Sequence, residues 1–204
     1  MRKLGILLSG RGSNFLAIAD NIDSGRLSGC EIAVVISNLA DAPGLAAARE
    51  RGLTAVAIEN RGRKRAEHDS EISACLHEHS VELVCLAGYM RLLSPGFVQA
   101  LAGRILNIHP SLLPAFPGLD AQLQAFRYGV QVSGCTVHFV DEQLDHGVII
   151  LQRSVPVLET DDAHTLAARI LEQEHIAYSE AIARVISGTY EIVGRRYLPR
   201  RQVE

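Results

Sequence analysis

The feature that most restricts the fold is a repeated exchange between two textures. Short runs rich in Ile, Val and Leu, namely KLGILLS, IAVVISN, TAVAIE, VELVCLAG and RILNIH, alternate with the longer segments NFLAIADNIDSG, APGLAAARERG and RAEHDSEISACLHEHS. The short runs lack polar alternation, so both of their faces are expected to be covered, as in the parallel strands of an α/β protein. The long segments repeat apolar residues at helical spacing and end near Gly or Ser, where helices stop. Strands joined through helices need right-handed crossovers, which predicts an α/β fold with a Rossmann-like, mostly parallel twisted sheet and flanking helices.

Beyond residue 118 the texture changes. A helical segment, DAQLQAFRYG, precedes two long strand-like runs, GCTVHFV and GVIILQRSVPV, separated by DEQLDH. So short a connection predicts antiparallel pairing, hence antiparallel strands at the C-terminal side. A long amphipathic helix follows, with Asp161 or Asp162 as its cap and Gly188 as its stop. Residues 1–188 read as one domain, and residues 189–204, TYEIVGRRYLPRRQVE, as a partly polar, loosely held C-terminal tail.

A chain of 204 residues that is 48% hydrophobic can bury a substantial core. Its formal net charge of -3 argues against a surface built to coat nucleic acid, which needs concentrated Lys and Arg. The local exception is RGRKRAEH, residues 61–68, expected as a solvated loop entering a helix, with an anion-attracting site as the sharper alternative. Cys30, Cys75, Cys85 and Cys135 have no CxxC spacing and read as reduced core residues of a cytoplasmic protein. The N-terminal apolar run is too short for a signal segment and no stretch reaches membrane-spanning length, so a soluble protein with no membrane partner is expected.

The first strand runs into SGRGSN, and a helix starts immediately after it. Glycines permit the tight turn, and the exposed amides of a helix start can hold a phosphate. A dinucleotide fingerprint is incomplete: Phe15 follows Asn14 where its third glycine is needed, and Ser37 and Asn38 stand where an acidic residue would grip a ribose. The Walker pattern fails for want of GK[ST]. A monophosphate site survives, beside the plainer reading of a turn with no ligand.

The second constellation is Asn107, His109 and Asp145. Residues two apart on a strand project to the same side, so Asn107 and His109 share a face at the carboxyl end of RILNIH, where open α/β sheets bind ligands. A single histidine in such a place is often a satisfied core residue. Here Asn107 can donate through its amide, and Asp145, in DEQLDHG, is a carboxylate able to orient an imidazole. His77 and His79 are two apart on a helix and do not face each other, so no metal site is expected. Ser111 sits in HPSLLP, not in a nucleophile elbow. An amide donor, an imidazole and a carboxylate without a nucleophile suit acyl transfer through a stabilised oxyanion.

SGRGSN, AGYMRLLSPGF, ILNIHPSLLPAFPG and SGCTVHFVDEQLDHGVIILQ stand in the order found in the folate-dependent phosphoribosylglycinamide formyltransferases, and over residues 3–188 the chain resembles that family. The resemblance implies the formyltransferase fold and a catalytic domain over residues 1–188. It implies transfer of a formyl group from 10-formyltetrahydrofolate, as cosubstrate, to the amine of glycinamide ribonucleotide in purine biosynthesis. By the same resemblance, Asn107, His109 and Asp145 are catalytic, and Gly12, Ser13, Asn14 and Glu174 bind the ribonucleotide. Arg65, Met90, Arg91, Leu92, Leu93, Val140 and Asp141 line the folate pocket. It implies small-molecule partners and leaves monomer and homodimer both open. The chain departs from the family at Asp120, Ala121 and Gln122, where many members carry a histidine-rich HAH or HTH turn.

Two other readings compete. A 10-formyltetrahydrofolate hydrolase would use the same residues but pass the formyl group to water, although such enzymes are expected to carry a further N-terminal domain. A non-catalytic nucleotide-binding regulatory module would keep the pocket without turnover, and the complete Asn107, His109 and Asp145 set argues against it.

Overall fold

The apolar runs become strands and the segments between them become helices in the computed structural model, which describes residues 1–200. The first of two compact units, Met1–Asn107, contains β1 (Arg2–Leu8), α1 (Ser13–Asp23), β2 (Cys30–Ser37), α2 (Pro43–Glu50), β3 (Ala55–Ala57), α3 (Arg65–Glu78), β4 (Leu83–Leu86) and α4 (Pro95–Ala100). The following strand, β5 (Ile105–His109), begins in this unit. The strand order is β3-β2-β1-β4-β5, with every neighbouring pair parallel. Leu4, Ile6, Leu7 and Leu8 of β1 are all fully buried, as a strand covered on both faces must be. The short helix α4, unannounced by periodicity, begins where the Ser94 hydroxyl accepts the Phe97 amide and Pro95 opens the first turn.

The second unit, from Ile108 onward, contains α5 (Ala121–Tyr128), β6 (Val132–Phe139), β7 (Ile149–Pro156), α6 (Ala163–Ile186), β8 (Tyr190–Val193) and β9 (Arg196–Pro199). Here the order is β6-β7-β9-β8. The pair β6 and β7 is antiparallel, with a register shift between Val137 and His138. Asp162, not Asp161, caps α6: its side chain accepts the His164 and Thr165 amides while the Thr165 hydroxyl accepts the Asp162 amide. The helix packs on β6 and β7 with Leu166, Ile170, Ala177, Tyr178, Ala181 and Ile182 buried. The fold class is as expected: α/β, mostly parallel, with helices flanking the sheet and antiparallel strands toward the C-terminus.

The C-terminal segment differs from the expected loose tail. Residues 190–193 and 196–199 form an antiparallel hairpin, Tyr190 pairing with Pro199 and Val193 with Arg196, and β9 joins β7 through Ile149 and Arg196. The physical reason is aromatic: Tyr190 stacks on Tyr197 with ring centroids 4.6 Å apart and lies 6.2 Å from the Phe139 ring. Those contacts give a polar-looking segment an apolar face. The last four residues of the tail, 201–204, lie outside the described residues. Among the described residues, no helix is long and apolar enough to cross a membrane.

Candidate active site

Strand β5 is core at Ile105 and Leu106, both fully buried, and changes character at Asn107, which is half-buried and two residues before the buried His109. Alternation puts these two side chains on one side of the strand. The segment after Pro110 is pinned by a single hydroxyl. Thr136 Oγ1 donates to the Ser111 carbonyl at 2.7 Å and accepts from the Leu113 amide at 3.0 Å and from Gln152 Nε2 at 3.0 Å. Gln152 Nε2 also reaches the Leu113 carbonyl at 2.9 Å. Ser111 Oγ donates to the Ala115 carbonyl at 2.6 Å, so this serine is occupied as a structural donor and not poised as a nucleophile.

Two acceptors hold His109. Its Nε2–H donates to the Phe116 carbonyl at 2.8 Å, and its Nδ1 lies 3.3 Å from Asp145 Oδ2. A carbonyl and a carboxylate only accept, so both contacts are satisfied together when both ring nitrogens carry hydrogen. The side chains of His109 and Asp145 are only 5% and 8% exposed, which leaves their attraction little screened by water. Asp145 Oδ2 also accepts the Gly118 amide at 2.8 Å, tying the chain after β5 to the chain after β6. Phe116, Asp120 and Asp145 all adopt positive φ, 52°, 54° and 49°. Each costs about 1–2 kcal/mol for a non-glycine residue. Three such positions around one imidazole–carboxylate contact mark a site held against local preference.

His138 stands behind Asp145, its Nε2 3.9 Å from Oδ1. Burial pushes its pKa below the ordinary histidine range, and its Nδ1–H donates to the Phe139 carbonyl at 2.7 Å. Its burial disfavours a charge on the ring. The connection carrying Asp145 is drawn tight at both ends. Asp141 Oδ1 accepts the Gln143 amide at 2.9 Å, Asp141 Oδ2 accepts His146 Nδ1–H at 2.7 Å, and Phe139 N donates to the Val148 carbonyl at 2.9 Å. Val140, at the end of β6, and Asp141 are both half-buried here. Glu174 is buried on α6, and after burial itself its charge is the next cause pushing the Cys135 thiol up to about 12.

The first unit holds the other predicted residues. Gly12 takes φ 69° and delivers the chain into α1, whose first residues are Ser13 and Asn14. A helix start is a kind of end that can hold an anion. Ser9 Oγ donates to Asn38 Oδ1 at 2.6 Å and accepts the Met90 amide at 2.8 Å, so one hydroxyl joins the ends of β1, β2 and β4. The Asn60 amide, oriented to satisfy both neighbours, accepts Arg91 Nη1 at 2.5 Å and donates to the Asn38 carbonyl at 3.3 Å. Around the half-buried Arg91, Met90 and Leu92 stand 72% and 54% exposed and Leu93 is half-buried, an apolar rim unusual for residues of this kind. Arg65 is exposed on the first turn of α3.

The basic run enters α3 as expected except at His68. That side chain is fully buried, its Nε2–H donating to the Ile58 carbonyl at 2.7 Å and its Nδ1 lying 3.6 Å from Asp69, whose other oxygen accepts the Ser94 amide at 2.5 Å. The signal was the spacing of His68 with Ile72 and Leu76, all buried on one helical face. Thr136, Gln152, Ser9 and Asn60 were missed because a polar residue in a strand or loop carries no periodic mark of its partners.

The second unit sets an imidazole beside a carboxylate after a buried strand, and the first sets a glycine-turned helix start after β1, both within an α/β fold. The formyl transferase family model matches residues 2–182. The trifunctional purine biosynthetic protein adenosine-3 of Drosophila pseudoobscura pseudoobscura is 46% identical over 189 residues, 92% of this chain, and the chain spans only 14% of that protein's length. The phosphoribosylglycinamide formyltransferase of Escherichia coli (strain K12) is 42% identical over 184 residues, 90% of this chain and 86% of that enzyme. The crystal structure of glycinamide ribonucleotide transformylase 1 from Symbiobacterium toebii superposes with a TM-score of 0.94 at 49% identity, covering 98% of this chain and 94% of that one. The chain belongs to the formyl transferase family.

Proposed function

We propose that this protein transfers the formyl group of 10-formyltetrahydrofolate to the amine of glycinamide ribonucleotide, a step of de novo purine biosynthesis in the cytoplasm. The observation that carries the reading is His109, set two residues after Asn107 and held between Asp145 and the Phe116 carbonyl. The names of the bacterial relatives support the same substrates.

The amine nitrogen attacks the formyl carbon, the new C–N bond forms, and the carbonyl pair moves onto oxygen. His109 Nε2–H exchanges the Phe116 carbonyl for that oxyanion, and the Asn107 amide supplies a second donor. Asp145 orients the imidazole. Collapse of the intermediate breaks the bond to the folate nitrogen, which takes up the proton that the amine loses. The first amides of α1, at Ser13 and Asn14 after Gly12, hold the ribonucleotide phosphate, and Glu174 contacts the same substrate. Arg65, Met90, Arg91, Leu92, Leu93, Val140 and Asp141 receive the folate, and no metal takes part.

The test follows tetrahydrofolate and formate production from 10-formyltetrahydrofolate with and without glycinamide ribonucleotide. Tetrahydrofolate formation only when the amine is present is the expected result. Formate release without the amine identifies a hydrolase, and binding without either product identifies a regulatory module. His109→Ala should lose most of its turnover while still binding the ribonucleotide; near-normal turnover in that variant would sink the assignment.

A further inference from the structure

We propose that Arg195, at the turn of the β8–β9 hairpin, is a positioning residue for the connection that carries Asp145. The inference rests on the reading of Asp145 as part of the formyl-transfer site. Arg195 Nη2 donates to the His146 carbonyl, and Arg195 Nη1 lies 3.0 Å from His146 Nε2 and 3.3 Å from its Nδ1. His146 Nδ1 in turn lies 2.7 Å from Asp141 Oδ2. A carboxylate only accepts, so Nδ1 carries the hydrogen toward Asp141, and Arg195 Nη1, nearly equidistant from the two ring nitrogens, lies against the ring. Arg195 thus holds His146 by its carbonyl and its ring, His146 holds Asp141, and together they close the base of the turn that contains Asp145.

That closure matters because Asp145 sits at φ 49°, a backbone state its surroundings must impose. One anchor is Gly147, seated against β6, which fixes the turn from the strand side. Arg195 supplies a second anchor, from the hairpin. Its position is set by the neighbouring residue, since Arg196 pairs with Ile149 on β7, three residues past His146. The hairpin is held in turn by Tyr190 against Phe139 and Tyr197. The His146 and Asp141 side chains are 41% and 42% exposed, so these contacts add little to global stability. Their effect falls on the geometry of Asp145 and hence on turnover.

The experiment compares Arg195→Ala, Arg195→Lys, His146→Ala and the Arg195→Ala, His146→Ala double variant in the full chain, by steady-state kinetics with both substrates and by thermal unfolding. Arg195→Ala should lower kcat about three- to tenfold. Its Tm should stay within about 2 °C of the parent. Its KM for the ribonucleotide should be unchanged, and Arg195→Lys should recover part of the loss. In the His146→Ala background, where only the bond to the backbone carbonyl at position 146 remains, the same change should cost less than in the parent. An unaltered kcat in Arg195→Ala, or losses that multiply in the double variant, overturns the proposal. Asp145→Asn run beside them separates the two readings: if it is inactive while Arg195→Ala is normal, only the positioning role fails, and if it turns over normally, the role of Asp145 fails first.

Discussion

Asp145 Oδ2 faces His109 Nδ1 at 3.3 Å while accepting the Gly118 amide at 2.8 Å, so one carboxylate oxygen both orients the imidazole and closes the loop that follows β5. Asp145→Asn keeps the shape but removes the charge, and its single amide oxygen cannot give the ring a carboxylate partner. We expect kcat to fall about 10²- to 10⁴-fold, the range for removing a group that governs proton transfer. Ribonucleotide affinity, measured by calorimetry, should be retained. A variant that keeps its kcat would separate Asp145 from the chemistry.

His138 yields a prediction in pH. Burial is the largest influence on its pKa and lowers it; its donation to Phe139 and the charges of Asp145 and Asp141 oppose that shift, while His109 adds to it. With the folded pKa below the unfolded one, the unfolded chain binds a proton that the folded chain does not, so stability is lost as pH falls. The loss begins near the ordinary histidine value of about 6.5 and levels off once pH drops below the folded value. His138→Asn preserves a donor toward the Phe139 carbonyl without titrating. Urea midpoints measured across the interval from about pH 7 to pH 5 should fall less steeply for that variant than for the parent; parallel slopes would remove His138 from the acid response.

The Asn107 and His109 pair was legible because a two-residue period on a buried strand is a local property of the chain. The partner of His109, Asp145, was legible from its residue type and its place in DEQLDHG, but not from any periodicity. What brings Asp145 to it is a register shift at His138, a left-handed backbone at Asp145 and a close strand contact at Gly147, none of which leaves a periodic trace. The hairpin beyond α6 was misread for a related reason. TYEIVGRRYLP carries a turn glycine between two short runs, but its apolar face exists only once Tyr190 and Tyr197 stack and Phe139 receives them. The strand-to-helix turn at Gly12 was legible in full, since its glycines and the helix pattern lie within a few residues of one another.

Gly12 combines a φ of 69° with crowding: an added Cβ would stand 3.0 Å from Leu8 Cδ2 and 3.5 Å from the Gly44 Cα. Gly12→Ala therefore pays about 1–2 kcal/mol in the left-handed region unless the turn relaxes, and relaxation re-aims the first amides of α1. The expected result is a rise of about tenfold in KM for the ribonucleotide with kcat at saturation little changed. A rise confined to the formyl donor would place the phosphate elsewhere.

Gly147 is the tightest contact in the second unit's site. A Cβ there would lie 1.7 Å from the Phe139 carbonyl oxygen and 2.7 Å from its carbon, both backbone atoms that no side-chain rotation can move. Gly147→Ala must therefore push β7 away from β6 beside His138, where the ladder already shifts register. Overpacking against backbone costs about 1–3 kcal/mol or more, which for a chain of this size lowers Tm by roughly 2–12 °C. The same displacement carries His146 and Asp145 with it, so kcat should fall by a larger factor than the stability loss explains. Measured well below the variant's Tm, where the protein remains folded, a kcat near that of the parent would show that the Asp145 turn is held independently of the β6–β7 contact.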